Sequence, residues 1–96
     1  MFIIALRYVQ PIEAIEKVLP DHIAYLEKHY ESGDFLLSGR QVPRTGGVII
    51  ARAASRRQAE TIAKEDPFYQ AGVASFDLIE FVPSKCAAGL ESLKEV

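Results

Sequence analysis

The chain opens on the stretch Phe2-Ile3-Ile4-Ala5-Leu6-Arg7-Tyr8-Val9, which is rich in β-branched and aromatic residues and ends shortly before Pro11. This composition predicts a first β-strand, in which successive side chains point to opposite faces. One face carries Phe2, Ile4, Leu6 and Tyr8, and the other carries Ile3, Ala5 and Val9. An antiparallel strand with one face in water alternates cleanly between apolar and polar residues. The apolar residues on both faces therefore predict a sheet that is covered on both sides.

A helix is expected to follow, because Leu19, Ile23, Leu26 and Tyr30 recur at helical spacing. Pro20 stands where a first turn is expected, and Gly33 stands where a C-terminal cap is expected. It is open whether residues 12–18 belong to the same helix, since Pro20 would then kink it.

Two strand-like runs, residues 34–38 and 47–52, predict a hairpin, and Ser55 begins a second helix with a capping-box pattern. Asp66-Pro67 ends that helix or opens a further turn, and a last strand is expected over residues 73–82. The resulting order of strand, helix, strand, strand, helix, strand is that of ferredoxin-like α+β domains, in which both helices cover one face of an antiparallel sheet.

The last strand is also apolar on both faces, so something is expected to cover the face without helices. A second copy of the same sheet is the economical candidate, which predicts a homodimer through the sheet faces. The alternative is a bound helix or a tail folded back over the sheet, for which only the short C-terminal segment is available. We expect one domain over residues 1–96, with a short tail from about residue 84.

Composition excludes several classes of protein. With 49% hydrophobic residues, 25% charged residues and a formal net charge of -2, the chain is typical of a soluble globular domain. A pI near 5.6 argues against nucleic acid as a partner. No apolar run approaches a membrane span and no signal peptide is recognisable, so we expect a cytoplasmic protein without a membrane partner. The single cysteine, Cys86, has no partner for a disulfide or a zinc site.

The two histidines, His22 and His29, lie on roughly the same side of the predicted helix but ~10 Å apart along its axis. They cannot share one metal ion, and we expect no metal site. His29 stands among Glu27, Lys28 and Glu31, which predicts a solvated surface residue.

His22 would fall in the first turn of the predicted helix, where the helix dipole disfavours imidazolium and leaves the ring able to accept a proton. A capping or packing role is the alternative. Asp66 precedes Pro67 and is thus a favoured N-cap residue, whereas an aspartate can also orient a catalytic histidine. These residues alone do not decide between the two roles.

Nearly the whole chain resembles the YCII-related (YciI-like) family. The matching segments are Phe2-Ile3-Ile4-Ala5-Leu6, His22-Ile23-Ala24-Tyr25-Leu26, Phe35-Leu36-Leu37-Ser38-Gly39 and, most specifically, Asp66-Pro67-Phe68-Tyr69-Gln70-Ala71-Gly72-Val73. The resemblance implies a dimeric α+β barrel, similar in fold to muconolactone isomerase. It also implies an active-site pair of His22 and Asp66. The hairpin loop here is short compared with that of some family members.

The resemblance implies a cofactor-independent lyase or isomerase of a small, ring-derived substrate, and the family includes a dehydrochlorinase of a chlorinated quinol. His22 would act as general acid or base, and Asp66 would hold its tautomer. The expected substrate-binding residues are Arg7, Ser38, Arg40, Phe68 and Tyr69. The two arginines would hold an anionic group, unless they are solvated or ion-paired. The alternatives are a non-catalytic dimer that binds a small ligand, and a cofactor-free oxygenase of the dimeric α+β barrel type.

Overall fold

The computed structural model describes residues 1–96 as an antiparallel four-stranded sheet with its helices packed on one face. The elements are β1 (Phe2–Tyr8), α1 (Ile12–Glu31), β2 (Phe35–Arg40), β3 (Gly46–Ala51), α2 (Arg56–Lys64), α3 (Pro67–Gln70) and β4 (Ala74–Glu80), followed by a 3-10 turn at Glu91–Leu93. The strand order is β2-β3-β1-β4, with β1 pairing antiparallel to both β3 and β4. This topology confirms the predicted ferredoxin-like α+β fold.

The core lies between the helices and the sheet face that we call the inner face. Ile4 and Leu6 of β1 and Ile49 of β3 are buried there against Tyr25 of α1 and Ile62 of α2. The two central strands approach each other closely at Gly46, where an added Cβ atom would lie 1.8 Å from the carbonyl oxygen of Leu6. Any larger residue at this position would push β1 and β3 apart and disturb the floor of the core.

Helix α1 is longer than its apolar periodicity predicts. It begins at Ile12 rather than near Leu19, and Pro20 lies inside it. A proline inside a helix removes one hydrogen bond, but buried residues on both sides of Pro20, Ile15 and Tyr25, hold both halves of the helix against the rest of the fold. His22 is therefore in the middle of α1, and the expectation that the dipole of a helix N-terminus acts on it is wrong. Gly33 follows the helix with φ of 85°, as the predicted C-terminal cap requires.

The sheet face without helices, which we call the outer face, is partly apolar. Ala5, Val48 and Ile50 are half-buried in the single chain, whereas Leu37 is 67% exposed and Ile79 is 52% exposed. The C-terminal tail makes hydrogen bonds at the strand ends: Arg52 donates to the Ser92 carbonyl, and the Met1 amino group contacts Glu95. None of the helices is both long and apolar enough to span a bilayer.

Candidate active site

A buried histidine–aspartate pair joins α1 to the junction between α2 and α3. Nδ1 of His22 lies 2.8 Å from Oδ1 of Asp66, and the two residues are 8% and 1% exposed. His22 comes from the middle of α1, while Asp66 lies between the end of α2 and the first residue of α3. The fold therefore brings together two side chains that are far apart in the sequence, in a place that bulk water scarcely reaches.

Asp66 caps a helix and also contacts a histidine. Its Oδ1 accepts a hydrogen bond from the backbone N–H of Phe68 at 2.9 Å, which makes it the N-cap of α3, and it also faces His22. Its Oδ2 is buried and accepts no hydrogen bond, and His22 is its only ion-pair partner. The backbone thus fixes the carboxylate, while its negative charge is directed to the imidazole.

The imidazole of His22 is held in place by aromatic neighbours. The ring of Phe68 stacks on it with 3.9 Å between centroids and an interplanar angle of 9°. Because a carboxylate oxygen only accepts hydrogen bonds, the Asp66 contact assigns the proton of the neutral ring to Nδ1. Nε2 makes no hydrogen bond within the chain and carries the free lone pair in this tautomer. The pair therefore presents a fixed proton acceptor.

Tyr25 lies on the same helix face, but its hydroxyl is not available for proton transfer. The hydroxyl donates to the Ile62 carbonyl at 2.6 Å. Burial of the phenol, followed by the negative charges of Asp66 and Glu65, raises the pKa of Tyr25 far above its ordinary value. The Tyr25 hydroxyl therefore stays protonated and serves as a structural donor.

A cavity of about 600 Å³ opens beside His22, between α1 and the inner face of the sheet. Most of its wall is apolar, and a few polar side chains interrupt it. Its polar and aromatic lining residues are His22, Phe68, Tyr8, Ser38, Arg40, Arg44 and Glu16. Its size and its mixture of apolar wall and few polar groups are typical of a small-molecule site.

The structure places some of the predicted site residues at the cavity and others away from it. Ser38, Arg40 and Phe68 line the cavity with His22, and Asp66 lies behind His22. Arg7 lies on the outer face, 63% exposed and 3.3 Å from the Asp77 carboxylate, so the structure does not bring it to the cavity. Tyr69 is also absent from the cavity wall, because its ring packs against Phe76 at 5.3 Å.

Three polar cavity residues were not among those predicted. Tyr8 faces the cavity from the end of β1, and Arg44 of the β2–β3 loop forms a 3.5 Å ion pair with Glu16 of α1. Side chains alternate along β1, so Tyr8 lies on the same face as Leu6, and this pattern could have predicted that Tyr8 faces the cavity. Nothing in the sequence pattern pairs Arg44 with Glu16.

The prediction of a solvated His29 is wrong. His29 is 4% exposed, and its Nδ1 and Nε2 lie 3.0 Å from Asp34 Oδ2 and 3.0 Å from Glu65 Oε1 respectively. Its charged sequence neighbours Glu27 and Glu31 are not its partners. The partners are the residue that precedes β2 and the residue that follows α2. No group of three or more histidine, cysteine, aspartate or glutamate residues is arranged to hold a metal ion.

Comparison with known proteins gives one family match and a likeness in fold. The family model described as the YCII-related domain matches residues 1–82. A solved structure of 5-chloro-2-hydroxyhydroquinone dehydrochlorinase from Burkholderia phenoliruptrix AC1100, in complex with 2,5-dihydroxybenzoquinone, is similar with a TM-score of 0.71 and 20% sequence identity. The alignment covers 86% of this chain and 95% of that chain, which shows a shared fold. No curated protein matches the chain.

Proposed function

Since the chain belongs to the YCII-related domain family, we propose that it is a cofactor-independent acid–base enzyme, a lyase or isomerase of a small ring-derived substrate. The observation that carries the proposal is the His22–Asp66 pair, buried beside a cavity with the second ring nitrogen of His22 unpaired. A histidine oriented by a carboxylate and open to a pocket on its other nitrogen is arranged for proton transfer.

In the proposed reaction, Nε2 of His22 removes a proton from a ring carbon or hydroxyl group of the substrate. Asp66 keeps the Nδ1–H tautomer before the transfer and stabilises the imidazolium that the transfer produces. In a lyase, the electron pair left on the substrate expels a leaving group from a neighbouring carbon. In an isomerase, the imidazolium returns the proton to a different atom. Neither route requires an electron acceptor or a metal ion.

The cavity favours a ring that carries a negative charge. Arg40 lines the cavity and makes no ion pair within the chain, so its guanidinium is free for an anionic group. Arg44, by contrast, is paired with Glu16. The apolar wall and the ring of Phe68 suit the flat carbon framework of such a ligand. We therefore place an aromatic or quinonoid ring bearing a carboxylate or an ionised hydroxyl here.

A chlorinated hydroquinone is the first substrate to test. The dehydrochlorinase with the similar fold is named for 5-chloro-2-hydroxyhydroquinone, and the loss of hydrogen chloride needs only proton transfer and departure of chloride. The purified protein would be incubated with this compound, with other halogenated quinols and with phenols and lactones. Chloride release and the ultraviolet spectrum would be followed, with His22→Ala as the matched control.

Turnover by the wild type that His22→Ala lowers by orders of magnitude would support the proposal. Binding of these rings without turnover, and with similar affinity in both proteins, would contradict catalysis and favour the ligand-binding alternative.

The role of Arg40 has a separate test. Arg40→Gln is expected to weaken the binding of benzoate about tenfold or more, measured by calorimetry, because the charge-assisted hydrogen bond is lost. Arg57→Gln removes the same charge from an exposed position on α2 outside the cavity, and it should leave the affinity unchanged. Equal affinities for wild type and Arg40→Gln would remove Arg40 from the proposed binding site.

We also propose a homodimer through the outer face. The half-buried Ile3, Ala5 and Ile50 form an apolar patch, and Leu37 and Ile79 extend it as exposed residues. A second copy of the sheet would cover these side chains. Sedimentation should give twice the chain mass of 10.7 kDa for the wild type and a monomer for Ile50→Glu. A wild type that sediments as a monomer at high concentration would contradict the dimer.

A further inference from the structure

A second buried histidine lies between two carboxylates. The cluster of His29, Asp34 and Glu65, here called the His29 cluster, has both ring nitrogens 3.0 Å from a carboxylate oxygen. Carboxylates only accept hydrogen bonds, so both contacts are hydrogen bonds only when both nitrogens carry protons, which is the imidazolium form. The hydrogen bond from His29, and then that from Ser32, lowers the pKa of Asp34. When both hydrogen bonds are made, the cluster holds one positive charge between two negative charges.

Two consecutive residues, Glu65 and Asp66, connect the His29 cluster to the candidate active site. Glu65, which accepts from His29, directly precedes Asp66, which accepts from His22. Both histidines belong to α1, and Tyr25 lies between them, with its ring centroid 4.9 Å from that of His29. The hydroxyl of Tyr25 binds the Ile62 carbonyl near the end of α2. One face of α1 therefore holds the α2–α3 junction at three points.

We propose that His29 is a positioning residue for the His22–Asp66 pair. Its contact with Glu65 holds the backbone of Glu65 and Asp66 against α1. Its positive charge offsets the negative charge that Glu65 and Asp34 place near His22. This role of His29 rests on the proposed function, but its test measures the charge state of His22 in the absence of any substrate. Failure of one is therefore distinguishable from failure of the other.

The sign of the effect follows from the charges that face the cluster. These are Asp34, which directly precedes β2, Glu65 at the α2–α3 junction, and Lys28, which lies on α1 with its ammonium 3.8 Å from Glu65. His22 itself faces Asp66, and the charged residues Glu16, Arg40 and Arg44 line the cavity beside it. Removing the positive charge of His29 leaves more negative charge near His22 and favours its protonated form. Removing the negative charge of Glu65 has the opposite effect. At ~10 Å along the helix, loss of the His29 charge should move the titration midpoint of His22 by about 0.3 to 1 pH unit. Loss of the Glu65 charge should move it in the opposite direction.

The test is the titration of the His22 imidazole by nuclear magnetic resonance in the free protein. His29→Gln is expected to raise the midpoint, and Glu65→Gln is expected to lower it. A merely structural role would loosen the same junction in both variants and move the midpoint in one direction. Lys28→Gln is the matched control, because it removes a positive charge beside the same carboxylate from a side chain that is 70% exposed. Solvent screening should make its shift less than half of that caused by His29→Gln.

Shifts of opposite sign for the two variants support the proposal. An unchanged midpoint in both variants, or shifts of the same sign, overturns it. If His29→Gln does not fold, Glu65→Gln decides alone, because an unchanged or raised midpoint in that variant contradicts the charge balance described above.

Discussion

The two histidines of α1 have similar burial and opposite surroundings. Each is less than one-tenth exposed and faces a carboxylate through Nδ1. Nε2 of His29 also faces a carboxylate, whereas Nε2 of His22 has no partner in the chain and its ring lines the cavity. A histidine exchanges protons with a ligand only through a nitrogen that the protein leaves free. The second nitrogen therefore separates a candidate catalytic residue from a residue whose two ring nitrogens are both bound by the protein.

The largest expected difference between the two sites is in catalysis. His22→Ala should lower kcat/KM on the substrate that the screen identifies by about 10²- to 10⁴-fold, the usual contribution of general acid–base catalysis. His29→Gln leaves the proton acceptor in place and should cost less than about tenfold. Steady-state kinetics, with circular dichroism to verify folding, measures both. A loss in His29→Gln as large as that in His22→Ala would erase the distinction between the sites.

Substitution of Asp66 separates the two roles that one side chain combines. Asp66→Ala removes both the N-cap of α3 and the partner of His22, and should lower the free energy of unfolding by about 1 kcal/mol more than Asp66→Asn, which can still cap the helix. Both variants should lose most activity, because neither stabilises the His22 imidazolium. Chemical denaturation and kinetics measure the two effects. An active Asp66→Asn variant would show that catalysis does not need a negative charge at this position.

The smallest expected effect is on the stability of the His29 cluster. The hydrogen bond from His29 lowers the pKa of Asp34 below its ordinary value of 3.8, so Asp34 stabilises the fold above that pH and ceases to do so as the pH falls through its lower folded value. Asp34 is partly exposed, and Asp34→Asn should therefore cost less than about 1 kcal/mol at pH 7.

Urea denaturation of wild type and Asp34→Asn at pH 7 and at pH 2 measures this contribution. The difference between the two proteins should shrink at the lower pH. If the difference in the free energy of unfolding were larger at pH 2 than at pH 7, ionised Asp34 would not stabilise the fold.

The fold was predictable because it depends on local patterns. The two-faced β1, the strand runs on either side of residues 39–46 and the cap at Gly33 each predict an element that the structure contains. The start of α1 was not predictable from Pro20, because packing of the first half of the helix outweighs the loss of one hydrogen bond.

The site was predictable in part. The contact between His22 and Asp66 agrees with the resemblance to the family, although the sequence spacing alone left the role of each residue open. Arg7 lies away from the cavity because side chains alternate along β1, and Arg7 points to the opposite face of the strand from Leu6 and Tyr8. The burial of His29 was hidden, because its two carboxylate partners come from other elements and leave no local signal.

The difference between the two histidines is measured by a long-range ¹H–¹⁵N correlation spectrum of both imidazoles, recorded across the pH range in which histidine titrates. We expect that His22, in its neutral form, carries its proton on Nδ1, and that both nitrogens of His29 donate hydrogen bonds to their carboxylate partners. A neutral His22 with its proton on Nε2 would rule out His22 as the base, because its lone pair would then face Asp66 instead of the cavity.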